Sequence, residues 1–141
     1  DEAELSLMDG LVGDSWKSRG STNTQDGSAN VHAQITVMNA RTIALLAQKE
    51  DRWPLAGDQL YVDFDLNDDN IPPGTCLAIG SAVIEVSAVP HTGCKKFSAR
   101  FGTEALKFVN SPEGKQLHLR GINTTIVQPG IIHVGDLINK L

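Results

Sequence analysis

The sequence predicts a mainly β chain, a strand-dominated barrel with two or three short helices inserted at its ends. Six or so short apolar or alternating runs are separated by Gly, Pro, Asn and Asp turn signals. No strand–helix–strand alternation holds along the chain, and no glycine-rich phosphate loop follows a strand. Its 141 residues suffice for one core, and 40% hydrophobic with 21% charged composition is ordinary for a soluble globular protein. A single domain over 1–141 is expected.

The formal net charge of -5, with no basic stripe carrying interleaved aromatics, argues against nucleic acid as a partner. No apolar run is long enough to span a membrane and the start is not signal-like, so no membrane partner and a cytoplasmic location are expected. Two cysteines, Cys76 and Cys94, are too few for a disulfide framework. The chain opens at Asp1 without a Met, as a trimmed or partial chain would.

Leu5, Leu7 and Met8 suggest a short strand before a turn at Gly10–Asp14, and the polar stretch Trp16 to Asn30 reads as a long loop. Val31 to Met38 alternates as a half-buried strand, on which His32 is an ordinary polar position. Asn39 then caps a helix over Ala40–Glu50 that Pro54 terminates. Leu60 to Leu66 alternates again, and Asn67–Asn70 turns. The Asp63-x-Asp65-x-Asn67 spacing is not a calcium loop, because Asp68 stands where glycine is needed and Gly74 where a bidentate Glu belongs.

Cys76–Ile79 is a short apolar strand, which places Cys76 as a buried, inert thiol. The spacings of the two cysteines with His91, His118 and His133 match no paired zinc pattern, so no zinc is expected. A further strand-like run, Ala82–Val89, leads to Pro90. Phe97 and Phe101 share a helix face, Gly102 stops that helix, and Thr103 caps another. Ser111–Gly114 reads as a turn. Leu117–Val127 alternates around Gly121, where a bulge or a close approach by another group is expected. Pro129–Gly130 turns into a last strand, Ile131–Val134.

Chemistry concentrates in Pro90-His91-Thr92-Gly93-Cys94-Lys95-Lys96-Phe97. A thiol at a helix start meets unsatisfied N–H groups and the positive end of the dipole, and both favour thiolate. Lys95, Lys96 and Arg100 follow, and no acid lies between Glu85 and Glu104. In an acidic chain that is a local reversal of sign, suited to a thiolate or an anion beside it. The competing reading is that cysteine is simply among the most buried residue types.

The run Pro90–Gly102, then Ser111–Gly114, then Leu119–Asn123, resembles a stand-alone MOSC domain protein, of the family named for the C-terminal part of molybdenum cofactor sulfurases. Val127–Asp136 is similar to that family's terminal hairpin, and Gly10–Asp14 and Trp53–Asp58 to its earlier landmarks. The resemblance implies a MOSC-like β-barrel that binds molybdenum cofactor, or carries persulfide sulfur, with Cys94 as the persulfide carrier or direct molybdenum ligand. Lys95, Lys96, Arg100 and Arg120 are implied to supply charge for the pterin phosphate, and His91, Asn123 and Asp58 further cofactor contacts.

A sulfur donor or acceptor protein is the implied partner. A second implied activity is reduction of N-hydroxylated compounds, for which a separate electron-transfer partner is required, since the chain has no ferredoxin cluster or flavin motif. A degenerate barrel binding another small molecule is the third reading, and pyridoxal phosphate, a family-level association, is not expected here. Two departures stand out. Only nine residues precede Gly10, where relatives usually have an opening strand, and Gly57-Asp58-Gln59 replaces the common Gly-Glu-Asn.

Overall fold

The computed structural model describes residues 2–141. In chain order its early elements are β1 (Glu2–Ser6), β2 (Gly10–Leu11), α1 (Trp16–Arg19), a 3-10 turn (Val31–Ala33) and β3 (Ile35–Asn39). Then come α2 (Ala40–Ala47), a 3-10 helix (Glu50–Ala56), β4 (Leu60–Val62), β5 (Cys76–Ile79) and β6 (Ala82–Val86). The chain finishes with α3 (Lys95–Phe101), α4 (Thr103–Asn110), α5 (Pro112–Gln116), β7 (Ile122–Gln128), β8 (Gly130–His133) and β9 (Ile138–Lys140). The predicted class, mainly strands with short helices, is the observed one, with more helical turns than expected. No helix of the described residues is long and apolar enough to cross a membrane.

The chain forms two compact units. In the first, 1–35 with 73–89 and 123–141, the pairs among β1, β2, β5, β6, β7, β8 and β9 are antiparallel. β1 pairs with both β2 and β8, while β5 pairs with β6 and β9, and β6 with β7. Ser81, in the β5–β6 turn, ties the two sets together: Ile131 donates its N–H to Ser81 Oγ and accepts the Ser81 N–H on its carbonyl. Residues alternate strictly along β6, with Ala82, Ile84 and Val86 buried and Val83 and Glu85 partly exposed. Burying a side chain such as Ile84 contributes roughly 1.5–3 kcal/mol.

The second unit, 36–72 with 90–122, carries the parallel β3–β4 pair and α2 to α5. Asn39 caps α2 as predicted, its Oδ1 accepting the N–H groups of Arg41 and Thr42. Met38, Ile43, Ala47 and Ala56 form one buried cluster; Phe97, Ala105 and Val109 form another.

Several boundaries differ from the sequence reading, each for a local reason. The strand expected from Val31 begins only at Ile35, because Asn30 Oδ1 accepts the His32 N–H and winds Val31–Ala33 into a 3-10 turn. The expected loop opens with the single helical turn α1, which buries Trp16. Helix α2 ends early, where Gln48 takes φ 68 and returns its N–H to Ala44, and Pro54 sits inside the 3-10 helix that follows. Strand β4 stops at Val62, since its partner turns into α2 after Asn39.

Ser111-Pro112-Glu113-Gly114 is a helix start rather than a turn, with Ser111 Oγ accepting from Gly114 N–H and Pro112 in the first turn. Thr103 is the first residue of α4, and Gly102 is its cap. Leu117–Arg120 is a turn, so β7 starts at Ile122. Ile138–Lys140 adds a strand where none was assigned. Cys76 is half-buried rather than fully buried.

Gly121 meets the expected close approach. Its φ is 121, and a Cβ there would stand 2.5 Å from the Val37 carbonyl oxygen and 3.1 Å from His91 Cδ2. Backbone cannot yield as a flexible side chain can, and this φ is strained for any L residue. Gly121→Ala is therefore expected to destabilise the chain by about 2–4 kcal/mol, read as a lower urea midpoint at unchanged slope.

Candidate functional site

Cys94 is exposed and stands at the N-cap of α3, with φ -125 and ψ -175. Its side chain closes no conventional cap hydrogen bond. The N–H of Phe97 nevertheless draws the thiol below its ordinary pKa, against a smaller opposing effect of burial. The Lys96 N–H and the charges of Arg120 and Lys96 add to that lowering. Such a thiol is a better nucleophile and a better soft-metal ligand at neutral pH than an ordinary one.

The loop holding it is braced twice. Asn110, at the end of α4, clasps Gly93 through both ends of its amide: Gly93 N–H donates to Oδ1 at 2.9 Å, and Nδ2 donates to the Gly93 carbonyl at 3.1 Å. His91, three residues before the cysteine, reaches Asp58, with Nε2 2.8 Å from Oδ1. The other Asp58 oxygen accepts from Arg120 Nη1 at 2.6 Å. Arg120 Nη2 donates to the Ala56 carbonyl at 2.8 Å, and the guanidinium carbon lies 5.0 Å from the centre of the Phe97 ring.

Burial decides the character of this group. The Asp58 side chain is 1% exposed, Arg120 9% and His91 18%. Desolvation alone would raise the Asp58 pKa, but His91 and Arg120 outweigh it, and the carboxyl is held below its ordinary value. With Asp58 ionised, His91 Nε2 carries the proton of their hydrogen bond. Nearby, Tyr61 is pushed up to about 12, first by burial and then by the Asp58 charge; its hydroxyl donates to the Trp53 carbonyl.

The structure therefore brings Asp58, His91, Arg120 and Phe97 together within the second unit, on the segment that presents Cys94. Lys95 and Lys96 are exposed in the first turn of α3. Arg100 sits at the far end of that helix, donating to the Leu55 carbonyl. Asn123 belongs to the first unit, where Nδ2 donates to the Val89 carbonyl. Asn110 and Phe97 were not picked out as site residues from sequence. No local signal marks an asparagine 17 residues away as the clasp of Gly93.

Among the described residues no three His, Cys, Asp or Glu side chains are grouped to hold a metal ion. A metal at Cys94 would have to arrive with other ligands of its own. Molybdenum cofactor would bring sulfur ligands of its own, and the accessible Cys94 thiol, followed by Lys95 and Lys96, would be a soft donor able to complete them. The residues present fit that group.

A strand-rich chain with an exposed thiol on a segment tied by His91 and Phe97 to a buried ion pair is thus the class that fold and site define. No curated protein sequence matches the chain, but solved structures share its fold. YiiM from Escherichia coli aligns over 100% of this chain and 62% of its own, with a TM-score of 0.66 and 18% identity. YiiM from Geobacillus stearothermophilus aligns over 79% and 56%, with a TM-score of 0.60 and 17% identity. The YuaD protein of Bacillus subtilis aligns over 98% and 83%, with a TM-score of 0.61 and 16% identity. The chain spans about three-fifths of the length of the two YiiM structures. The model of the MOSC domain matches residues 24–139, and the chain belongs to the MOSC domain family, which is associated with molybdenum cofactor binding.

Removing one partner of a buried ion pair leaves the other uncompensated. Asp58→Asn is expected to cost about 3–5 kcal/mol in chemical denaturation. The sign with pH follows from the lowered Asp58 pKa: its contribution is full above the unfolded value of 3.8 and is lost as pH falls through the lower folded value. The wild-type chain should accordingly lose stability below about pH 4, and the difference between it and Asp58→Asn should shrink in the same window when melting is followed against pH.

Proposed function

We propose that this chain binds molybdenum cofactor at Cys94, with the thiolate as the protein's ligand to molybdenum and Lys95 and Lys96 attracting the pterin phosphate. The observation that carries this reading is the exposed thiol of Cys94 at the head of α3, held below its ordinary pKa on a segment braced by Asn110, His91 and Arg120. When bound, the cofactor would supply a molybdenum centre able to exchange oxygen, sulfur or electrons with a substrate. The chain's own part is to favour the thiolate of Cys94 by lowering its pKa, to fix its direction, and to place positive charge beside it.

The same exposed thiol favours a second reading, sulfur carriage. Cys94 would attack the outer sulfur of a donor persulfide; the donor's S–S bond breaks, its thiol leaves, and the outer sulfur remains on Cys94 as a persulfide. The step is an exchange and consumes no oxidant.

Expression in a cofactor-producing host, followed by molybdenum and pterin analysis, tests the first reading. Near-stoichiometric molybdenum in the wild-type chain and at least a tenfold loss in a folded Cys94→Ala variant is the expected outcome. Equal content in both proteins would overturn it. A persulfide trapped on Cys94 without molybdenum would favour sulfur carriage.

A further inference from the structure

The buried group beside Cys94 contains two charged residues, Asp58 and Arg120, that a sequence reading assigns to cofactor contacts. Their geometry gives them another task. Each Asp58 oxygen is occupied, Oδ1 by His91 and Oδ2 by Arg120, and the side chain is 1% exposed. Arg120 spends one amino group on Asp58, the other on the Ala56 carbonyl, and a face on the Phe97 ring. An incoming phosphate would have to break a 2.6 Å ion pair and leave a buried carboxylate uncompensated, which is costly.

The same contacts grip the cysteine segment on both sides. His91 lies three residues before Cys94 and Phe97 three residues after it, and both are tied to Asp58, one directly and one through Arg120. Lys95 and Lys96, by contrast, are exposed and follow the thiol directly in sequence.

We infer that Asp58 and Arg120 form a charge-compensated positioning pair that aims the Cys94 segment, and that Arg120 is not the anchor for an anionic group docking at Cys94. This rests on the reading of Cys94 as the reactive centre. Asp58 and Arg120 are then positioning residues, acting on Cys94 through His91 and Phe97.

Paired alkylation of the full chain tests the assignment. Iodoacetate and iodoacetamide attack the same thiolate, so the ratio of their rates at Cys94, read site-specifically by mass spectrometry, reports local charge independently of how much thiolate is present. A unit charge about 7 Å away in water changes that ratio by about two- to threefold at low ionic strength. The combined Lys95→Met, Lys96→Met variant should lower it by about four- to ninefold, and salt should erase the difference. The combined Asp58→Asn, Arg120→Met variant removes one charge of each sign and should leave the ratio within about twofold of wild type. In that variant, hydrogen exchange at residues 91–97 should quicken at least tenfold while the β5–β6 amides are unchanged.

Because the double variant removes buried groups, Asp58→Glu serves as its conservative companion, and partial recovery of slow exchange at 91–97 is expected there. A ratio that collapses when the Asp58–Arg120 pair is removed but survives loss of both lysines would make Arg120 the anion anchor and overturn the inference. So would unchanged exchange at 91–97. Neither result depends on cofactor, whereas the reading of Cys94 as a molybdenum site fails on metal content, so the two failures are distinguishable.

Discussion

A carboxylate shielded from water stays ionised only where neighbouring donors and charges repay its lost hydration, and the second unit is built around one such debt. Asp58 meets it with His91 on one oxygen and Arg120 on the other. The three residues come from different stretches, the turn after the 3-10 helix, the loop before α3 and the turn before β7. Satisfying one charge therefore fixes three connections at once. Arg120 extends the constraint to α3 by lying on Phe97, and Gly121 allows it by letting the backbone beside Arg120 pass against the Val37 carbonyl. A side chain at 121 would push the whole turn away, and the guanidinium with it.

That arrangement separates two properties a reactive cysteine needs. Its ionisation is set mostly by what is local: the N–H groups of Phe97 and Lys96 come with the first turn of α3, and the charges of Arg120 and then Lys96 add smaller contributions. Its direction is set by what is distant: Asn110 on Gly93, and Asp58 through His91 and Arg120. A seven-residue helix is too short to be stable by propensity alone, so its first turn persists because Phe97 is buried with Ala105 and Val109. Packing, ion pair and amide clasp thus all act on the same few residues.

The division explains what could be read from the sequence. Cys94 at a helix start among cations was legible because every residue needed lies within one short run. So were the β6 alternation, the Asn39 cap, the stop at Gly102 and the tight approach at Gly121, each a local demand of backbone geometry. The α5 start was legible too and was misread: Ser followed by Pro is as much a helix opening as a turn. Strand limits were not legible, because β4 ends where its partner ends and β9 exists only by pairing with β5. Asp58 and Arg120 lie 62 residues apart, and nothing in either neighbourhood announces the other.

The same distinction bears on why arginine and not lysine occupies position 120. The guanidinium must give one N–H to Asp58 and another to the Ala56 carbonyl while its flat face rests on a ring, three demands in fixed directions. A lysine ammonium can meet the charge of Asp58 but has no face to lay on Phe97 and no rigid fork to span two acceptors. At positions 95 and 96 the requirement is the reverse. A flexible, strongly hydrated cation at an exposed helix opening can follow a mobile anionic group without first giving up another partner. A buried arginine where geometry must be held and exposed lysines where charge must be offered is the pattern expected if the two tasks, aiming the thiolate and attracting its ligand, belong to different residues.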